Sequence, residues 1–296
     1  MSFFVGVDFS SPLDVMLFGV CVFYSLTSLF ANRLNVKYLT RDGGFLTYSK
    51  FAKGVQFGPS VSSRFGMALL YSGGFALALV YLAAEIETHA DAGLTIVGTL
   101  GTSRVALVSL LVAIHFGKRV SESLCVHVYS GTMPLASSLF IGSTYCCMAF
   151  TMAHYAGKAP ALGEDSSTLL VSAITTFMLG SLGNFYHHLI LANLRKKSSN
   201  DHKDDGNGTD ANKDAKKRYY VPRGGLFEYV AAPHYFCELV GLFAVAIITR
   251  HWLAVLLIVA SFVYLAERAT AQTKWNREKF GAAYPVNRKH LIPFIF

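Results

Sequence analysis

The sequence predicts an all-α integral membrane protein with seven transmembrane helices, a lumenal N-terminus and a cytosolic C-terminus. Three observations predict this fold: the composition, the spacing of apolar stretches and the distribution of basic residues. Of the 296 residues, 53% are hydrophobic and only 15% are charged, and the mean hydropathy is +0.41. Because soluble domains carry about 25% charged residues, we expect most of this chain to face lipid.

Seven apolar stretches are long enough to cross a bilayer, which takes about 20 mostly apolar residues. The first 15 residues include two acidic residues, Asp8 and Asp14, and no basic residue. They therefore do not resemble a cleavable signal peptide, and we expect the first stretch to stay in the mature protein. The seven stretches lie near residues 12–31, 65–85, 96–116, 135–156, 168–192, 228–249 and 252–270.

The basic residues predict the orientation of these spans. With the N-terminus outside, 23 of the 26 Lys and Arg residues fall in inside segments, which are 32–64, 117–134, 193–227 and 268–296. Positive charge favours the cytoplasmic side of a membrane, so this distribution supports both the number of spans and their direction. It also accounts for the net charge of +8 without nucleic acid, whose binding requires basic residues clustered on one folded face.

The chain reads as a single transmembrane domain, 1–296, with one polar interruption. Residues 196–217 contain almost no hydrophobic side chains, so we expect a flexible cytosolic insert. The five cysteines lie in or beside apolar stretches without metal-ligand spacing, and they are expected to be small buried hydrophobes rather than a disulfide framework.

Polar residues at membrane depth are costly, so they mark candidate functional sites. Asn184 and His188 lie at the end of the fifth stretch and Arg195 follows it; their spacing of four and seven residues places them along one helix face. The alternative is a polar helix end that reaches the interface. Three aligned residues fit a polar cavity better.

A second cluster follows a Pro-Arg-Gly-Gly sequence at 222–225, which indicates a turn before the sixth stretch. His234 and Glu238 then lie four residues apart on one helix face. Glu238 could pair with His188 or accept hydrogen bonds from a nucleotide, and the sequence leaves both open.

A third cluster, Arg268 with the basic residues of the C-terminal tail, could contact either phosphate groups or anionic lipid. The chain has no Gly-rich dinucleotide fingerprint, Walker loop or His-Glu-x-x-His motif. Any nucleotide is therefore expected to bind among the helices, and no metal site is predicted.

Three sequence motifs together resemble the 3-oxo-5α-steroid 4-dehydrogenase family, which includes steroid 5α-reductases, polyprenol reductase and very-long-chain enoyl-CoA reductases. The motifs are GNFYHHLILANLRK at 183–196, VPRGGLFEYVAAPHYFCEL at 221–239 and YPVNRKHLIPFIF at 284–296. The resemblance covers residues 114–296, and 1–113 match mainly in hydropathy. Ile114–Pro134 is more similar to the enoyl-CoA reductase branch.

The resemblance implies an endoplasmic reticulum membrane enzyme that binds NADPH in a cytosol-facing cavity among its C-terminal helices. His188 and His234 stand where steroid reductases have Asp and Asn, and the enoyl-CoA branch also has His at the first position. The cofactor-binding residues that the resemblance implies are Asn184, His188, Arg195, Tyr219, His234, Glu238 and Arg268.

The implied reaction is reduction of a carbon–carbon double bond conjugated to a carbonyl group in a lipid-like substrate, with Tyr71 and Glu238 as the candidate catalytic residues. The steroid reductases' substrate clamp is changed, because Tyr71 falls close to the position of their Glu and Phe116 stands at that of their Tyr. A Δ4-3-oxo-steroid is the leading substrate class, and Tyr71 is the candidate donor to the enolate oxygen.

Other functions remain open from the sequence. The first alternative is a trans-2-enoyl-CoA reductase of fatty-acid elongation, for which the basic segment 32–64 could form the entrance for CoA. A more distant alternative is an isoprenylcysteine-type methyltransferase that uses S-adenosylmethionine, since Pro233-His234-Tyr235 is similar to its helix start. A non-enzymatic membrane protein would leave Asn184 and Glu238 without a role.

Overall fold

A computed structural model describes residues 3–33, 58–164, 167–204 and 219–296. Long helices dominate these residues, and two short strands form the one sheet described. The helices are α1 (Pro12–Arg33), α2 (Ser63–Asp91), α3 (Ile96–Thr102), α4 (Arg104–Ser121), α5 (Leu135–Ala156), α6 (Ser167–Asp204), α7 (Pro233–Thr249) and α8 (Trp252–Phe280), and the strands are β1 (Ser60–Ser62) and β2 (Thr132–Pro134).

The described helices support a multi-pass membrane protein. By length and composition, α2, α5, α6 and α8 can each cross a bilayer, and the bent pair α3–α4 makes a fifth if it counts as one span. The apolar parts of α1 and α7, Pro12–Phe23 and Pro233–Thr249, are shorter. The seven crossings and the orientation of the termini stay predictions.

Three boundaries differ from the sequence prediction. The stretch 96–116 is interrupted at Ser103, where α3 and α4 meet at 105°. Helix α6 continues to Asp204, so the first part of the predicted insert is helical, while 205–217 lies outside the described residues. The sixth helix begins at Pro233 rather than near 228, because Gly225–Glu228 forms a separate 3₁₀ turn.

The cation at the bend, Arg104, is accommodated by hydrogen bonds to backbone carbonyl groups. Its Nη1 donates to the carbonyl oxygen of Ile248 at 2.7 Å, and its Nε and Nη2 donate to that of Pro160 at 3.0 and 2.9 Å. Ser103 caps α4 at the backbone nitrogen of Ala106 and donates to Glu85 at 2.5 Å. Backbone carbonyls at the ends of other helices therefore satisfy this buried guanidinium.

Helices α6 and α7 approach each other closely where each has a glycine, Gly180 on α6 and Gly241 on α7. A Cβ atom added to Gly180 would lie 2.7 Å from the carbonyl oxygen of Cys237 and 2.7 Å from the backbone nitrogen of Gly241. Such contacts between small residues are typical of helix pairs in membranes. This contact lies one turn from Asn184 on α6 and from Glu238 on α7, so it sets the distance between those two side chains.

The C-terminal segment folds back onto the turn that precedes α7. Val230 and Lys289 form a parallel β-bridge, in which the Lys289 backbone nitrogen donates to Tyr229 at 2.8 Å and the Ala231 nitrogen donates to Lys289 at 2.8 Å. Leu291 is fully buried beside this bridge. Two of the three sequence motifs, 221–239 and 284–296, are thus parts of one structural unit.

Candidate active site

A buried group of polar side chains lies where α2, α4, α6 and α7 meet, and we call it the polar cluster. Tyr71 comes from α2, and the helical part 104–126 contributes four members, the last of them from the π-helical turn Glu122–Val126. Most of these side chains are less than a tenth exposed, although Lys118 and His234 are partly exposed. The members are Tyr71, His115, Lys118, Arg119, Glu122, Asn184, His188, His234 and Glu238.

Arg119 is the centre of the polar cluster. Its Nη2 donates to the hydroxyl oxygen of Tyr71 at 2.6 Å, and its Nη1 lies 2.5 Å from a carboxylate oxygen of Glu122. Nη1 is also 2.9 Å from Nδ1 of His188, which itself lies 3.0 Å from Glu122. Nδ1 accepts from Arg119 in one tautomer and donates to Glu122 in the other.

Asn184 joins three helices through its amide. The amide oxygen accepts a hydrogen bond from Lys118 of α4, and the amide nitrogen donates to the carbonyl oxygen of His234 at 2.9 Å and to the carboxylate of Glu238 at 3.4 Å. Since Lys118 can only donate, this contact defines the orientation of the amide. Asn184 and Glu238 are therefore neighbours.

Two buried groups of the polar cluster retain capacity for a ligand. Nδ1 of His234 is buried and has no hydrogen-bond partner in the part of the chain that the structure describes. Nε2 of His115 lies 3.9 Å from the carboxylate of Glu238, which is longer than a hydrogen bond. Because buried polar atoms are normally satisfied, this side of the cluster fits a polar ligand.

A cavity with mostly apolar walls adjoins the polar cluster. It lies among α1, α5, α7 and α8, and among the described residues no Lys or Arg lines it. Glu238 belongs to both the cavity wall and the cluster. Tyr145 also lines the cavity, and its ring stacks on that of Tyr71 at 5.2 Å between centroids. The molecule thus places an apolar compartment against a charged one.

The structure brings five of the predicted site residues into the polar cluster: Tyr71, Asn184, His188, His234 and Glu238. The remaining three lie farther out. Arg195 is exposed and donates to the carbonyl oxygen of Val128 at 3.1 Å. Tyr219 is 41% exposed and packs edge-on against Trp275. Arg268 is half-buried on α8.

Sequence reasoning missed Lys118, Arg119 and Glu122 because it assigned 117–134 to an inside segment. Helix α4 instead continues to Ser121 and a π-helical turn follows, so these charged side chains point into the protein. The spacing of Arg119 and Glu122, three residues apart, is that of a helical ion pair and could have indicated this continuation.

His187 has a structural position that the sequence did not distinguish from that of His188. Its Nδ1 lies 2.6 Å from the carbonyl oxygen of Gly183, and its Nε2 accepts from the backbone nitrogen of Leu226 at 3.0 Å. These contacts fix the Nδ1-protonated tautomer. His187 therefore holds the Gly-Gly turn against α6. In that turn the backbone amide of Gly224 lowers the pKa of the Glu228 carboxyl.

Glu122, His127 and His188 are of the types that bind zinc, and their ligand atoms lie within 4.8 Å of one another. However, the guanidinium of Arg119 already contacts Glu122 and His188, and Lys118 lies 3.0 Å from Glu122. A divalent ion there would face two cations at short range. His127, just beyond the π-helical turn, has its pKa lowered to about 4, chiefly by burial and then by Arg119.

Comparison with known proteins agrees with these motifs. Residues 132–296 match the family model described as 3-oxo-5-alpha-steroid 4-dehydrogenase. A very-long-chain enoyl-CoA reductase of Dictyostelium discoideum is 28% identical over 65% of this chain and 58% of its own length. A polyprenal reductase of Xenopus laevis is 30% identical over 66% of this chain and 60% of its own. The 3-oxo-5-alpha-steroid 4-dehydrogenase 1 of Rattus norvegicus is 29% identical over 65% of this chain and 68% of its own length.

The chain thus aligns with less than two thirds of the length of the first two of these relatives. The matched family region contains α5 to α8, the glycine-rich turn and the C-terminal segment, and it supplies Asn184, His188, His234 and Glu238 to the polar cluster. Since this region is more than half of the chain, the protein belongs to the 3-oxo-5-alpha-steroid 4-dehydrogenase family.

Proposed function

We propose that this protein is an oxidoreductase that reduces a carbon–carbon double bond conjugated to a carbonyl group in a lipid substrate, with NADPH as the reductant. The observation that carries the proposal is the contact between the polar cluster and the apolar cavity, which share Glu238. A reductase of this kind requires a polar site for a charged cofactor beside an apolar site for the lipid. The relatives' names, all reductases or dehydrogenases, support the same reaction class.

The residues fit a dinucleotide on the α6–α7 side of the cluster. We assign Asn184, His234 and Glu238 to the nicotinamide end, because the buried Nδ1 of His234 needs a partner and Glu238 borders the cavity. Arg195, Arg268 and Tyr219, farther out, are assigned to the phosphate and adenosine parts. NADPH, when bound, supplies the hydride that adds to the β-carbon.

Arg119 and Tyr71 supply an electrostatic field that stabilises negative charge during the reduction. As the β-carbon accepts a hydride, negative charge develops on the carbonyl oxygen, and donors aimed at that oxygen lower the barrier. Arg119 holds a positive charge 4.6 Å from the centre of the Tyr71 ring and donates to its hydroxyl. Because Arg119 and Tyr71 are buried, these interactions are stronger than they would be in water.

An uncharged lipid carbonyl, such as a Δ4-3-oxo-steroid, is the leading substrate class. The cavity wall is apolar apart from one carboxylate and several hydroxyl and thiol groups, so it suits an uncharged body rather than a phosphate. A polyprenal, on which a relative acts by its name, has the same chemistry. We place this reaction in the endoplasmic reticulum membrane.

A trans-2-enoyl-CoA is the second candidate, and a specific observation favours it. Arg119, Glu122 and His188 form one buried network, and two of the three lie in the segment 114–134 that resembles the enoyl-CoA branch. The acyl chain could occupy the cavity while the CoA head stays in the cytosol. Of the basic segment 32–64 that could receive this head, residues 34–57 lie outside the described residues.

The test uses purified protein in lipid nanodiscs with NADPH deuterated at the transferred position. We expect deuterium at the β-carbon of one substrate among a Δ4-3-oxo-steroid, a long-chain enal and a trans-2-enoyl-CoA, analysed by mass spectrometry. Glu238→Gln should slow transfer at least about tenfold, because it removes the carboxylate at the boundary. Arg223→Gln, an exposed change in the turn, is the matched control. Absence of label from all three products would contradict the proposal.

A binding experiment separates the reductase from the methyltransferase alternative. We expect the protein to be retained on an adenosine-2′,5′-bisphosphate resin and not on an adenosylhomocysteine resin, because NADPH carries the 2′-phosphate and S-adenosylmethionine does not. The opposite pattern would favour the methyltransferase.

A further inference from the structure

The sequence suggested Tyr71 as the donor to the substrate carbonyl, but its surroundings argue against direct contact. The Tyr71 side chain is 4% exposed and does not belong to the cavity wall. Its hydroxyl already accepts from Arg119 at 2.6 Å. A lipid in the cavity would have to displace other side chains to reach it.

Tyr145 occupies the position between the two compartments. It lies on α5 and lines the cavity together with Thr144 and Met148. Its ring stacks on Tyr71 with an angle of 18° between the planes and lies 5.3 Å from the ring of Phe116. This phenol thus stacks on a member of the polar cluster and also contacts the cavity.

Arg119 also lies near Tyr145. Its guanidinium carbon is 4.6 Å from the centre of the Tyr71 ring, on which the Tyr145 ring stacks at 5.2 Å between centroids. A cation at this range stabilises negative charge that develops nearby. The tyrosine that borders the lipid compartment therefore lies in the field of the cation that the polar cluster is built around.

We propose that Tyr145 hydrogen-bonds the substrate carbonyl and donates to the oxygen as it becomes an enolate, and that Tyr71 is a positioning residue that holds the Tyr145 ring. This inference rests on the proposed function. In the donation step the Tyr145 O–H bond breaks, its proton goes to the enolate oxygen, and the phenolate is stabilised by Arg119. Tautomerisation of the enol to the saturated carbonyl and return of a proton from water complete the balance.

The inference is tested first by ligand binding, which does not depend on turnover. Each probe pair differs only in its carbonyl: 5α-androstan-3-one and 5α-androstane, a long-chain enal and the alkene, and a trans-2-enoyl-CoA and its allylic thioether. For at least one pair, wild-type protein should bind the carbonyl form about tenfold more tightly, as one buried hydrogen bond allows. Tyr145→Phe should remove this preference and retain affinity for the carbonyl-free form.

Two variants accompany Tyr145→Phe. Tyr81→Phe is the matched control, because it removes a phenol that packs against Phe150 elsewhere on α2. Tyr71→Phe distinguishes direct donation by Tyr71 from positioning, because it keeps the ring that stacks on Tyr145 and removes only the hydroxyl; the carbonyl preference should persist in both. A preference that survives in Tyr145→Phe, or that disappears in Tyr71→Phe alone, would overturn the inference. So would a wild-type protein without any preference in the three pairs.

A spectroscopic measurement on wild-type protein covers the case in which Tyr145→Phe does not fold. The infrared stretch of a bound ¹³C-labelled carbonyl probe should lie at a lower frequency than that of the same probe in an apolar solvent, because a donated hydrogen bond weakens the C=O bond. Absence of that shift overturns the inference. Failure of deuterium transfer by wild-type protein would instead count against the proposed function, so the two failures are distinguishable.

Discussion

At the scale of single residues, the stability of the fold and of the site depends on one buried cation, Arg119, which has several partners. Arg119 contacts Tyr71, Glu122 and His188, and its side chain is 7% exposed. A buried ion pair gains little over apolar packing, but removal of one partner leaves an uncompensated charge. Arg119 is therefore a residue whose loss should affect both stability and the site.

We expect Arg119→Met to lower the free energy of unfolding by about 3–5 kcal/mol, because Glu122 and His188 lose their common partner. The double variant Arg119→Met/Glu122→Gln should recover part of this loss, since it removes both charges. SDS titration in mixed micelles gives the free energies. The exposed pair Arg223–Glu228, 3.4 Å apart, is the control: Arg223→Met should cost less than about 1 kcal/mol. Equal losses at both sites would contradict this assignment.

The sequence predicted part of this chemistry and missed the rest for a physical reason. Asn184, His188, His234 and Glu238 could be grouped because helical spacing places them on facing sides of two helices. Arg119 was not grouped with them, because hydropathy registers a charged residue after an apolar stretch as the end of a span. Its spacing from Glu122 was the one local signal, and the contact with Tyr71 comes from α2, which helical spacing does not predict.

At the scale of elements, the α6–α7 pair positions the site. The missing Cβ atoms at Gly180 and Gly241 allow the two backbones to approach, and Asn184 and Glu238 meet one turn away. Apolar stretches alone located most helices within a few residues. They could not locate the break at Ser103, because its determinants, Glu85 and the carbonyls that bind Arg104, come from other parts of the chain.

Gly180→Ala tests this contact. The added methyl group would lie 2.7 Å from backbone atoms of α7, which cannot move as a side chain would. We expect a loss of about 1–3 kcal/mol in the free energy of unfolding and weaker NADPH binding, measured by titration. Gly19→Ala on α1, where nothing lies within 4 Å, should leave both unchanged. Normal NADPH affinity in a destabilised Gly180→Ala protein would contradict the positional role of this contact.

At the scale of the whole molecule, distant parts of the chain complete one site. The matched family region supplies α6, α7 and the C-terminal segment, while Tyr71 comes from α2 and Arg119 from α4, both before that region. The C-terminal segment holds the turn before α7 through Lys289 and Arg288, whose Nη1 donates to the carbonyl oxygen of Pro222 at 3.1 Å. The C-terminal segment is therefore coupled to the turn that leads into α7, the helix that carries His234 and Glu238.

Leu291→Ala should show this coupling. Leu291 is completely buried, so its truncation leaves a cavity beside the bridge to Val230 and should cost about 2–5 kcal/mol. We expect a lower midpoint of thermal unfolding in detergent together with faster proteolysis at the turn 221–225. Val286→Ala, at a position 81% exposed in the same segment, is the control. A midpoint of thermal unfolding for Leu291→Ala equal to that of the control would contradict this coupling between the C-terminal segment and the turn.

An arginine anchors each end of helix α4, so the number of residues between the two arginines determines their separation and their relative orientation. Arg104 binds carbonyls at one end and Arg119 binds the polar cluster at the other; the helical rise over the 15 residue steps from Arg104 to Arg119 is about 22 Å. One residue inserted between them would turn Arg119 by about 100° relative to Arg104, given 3.6 residues per turn. This stretch should thus tolerate exchange of its lipid-facing side chains but no change in residue number.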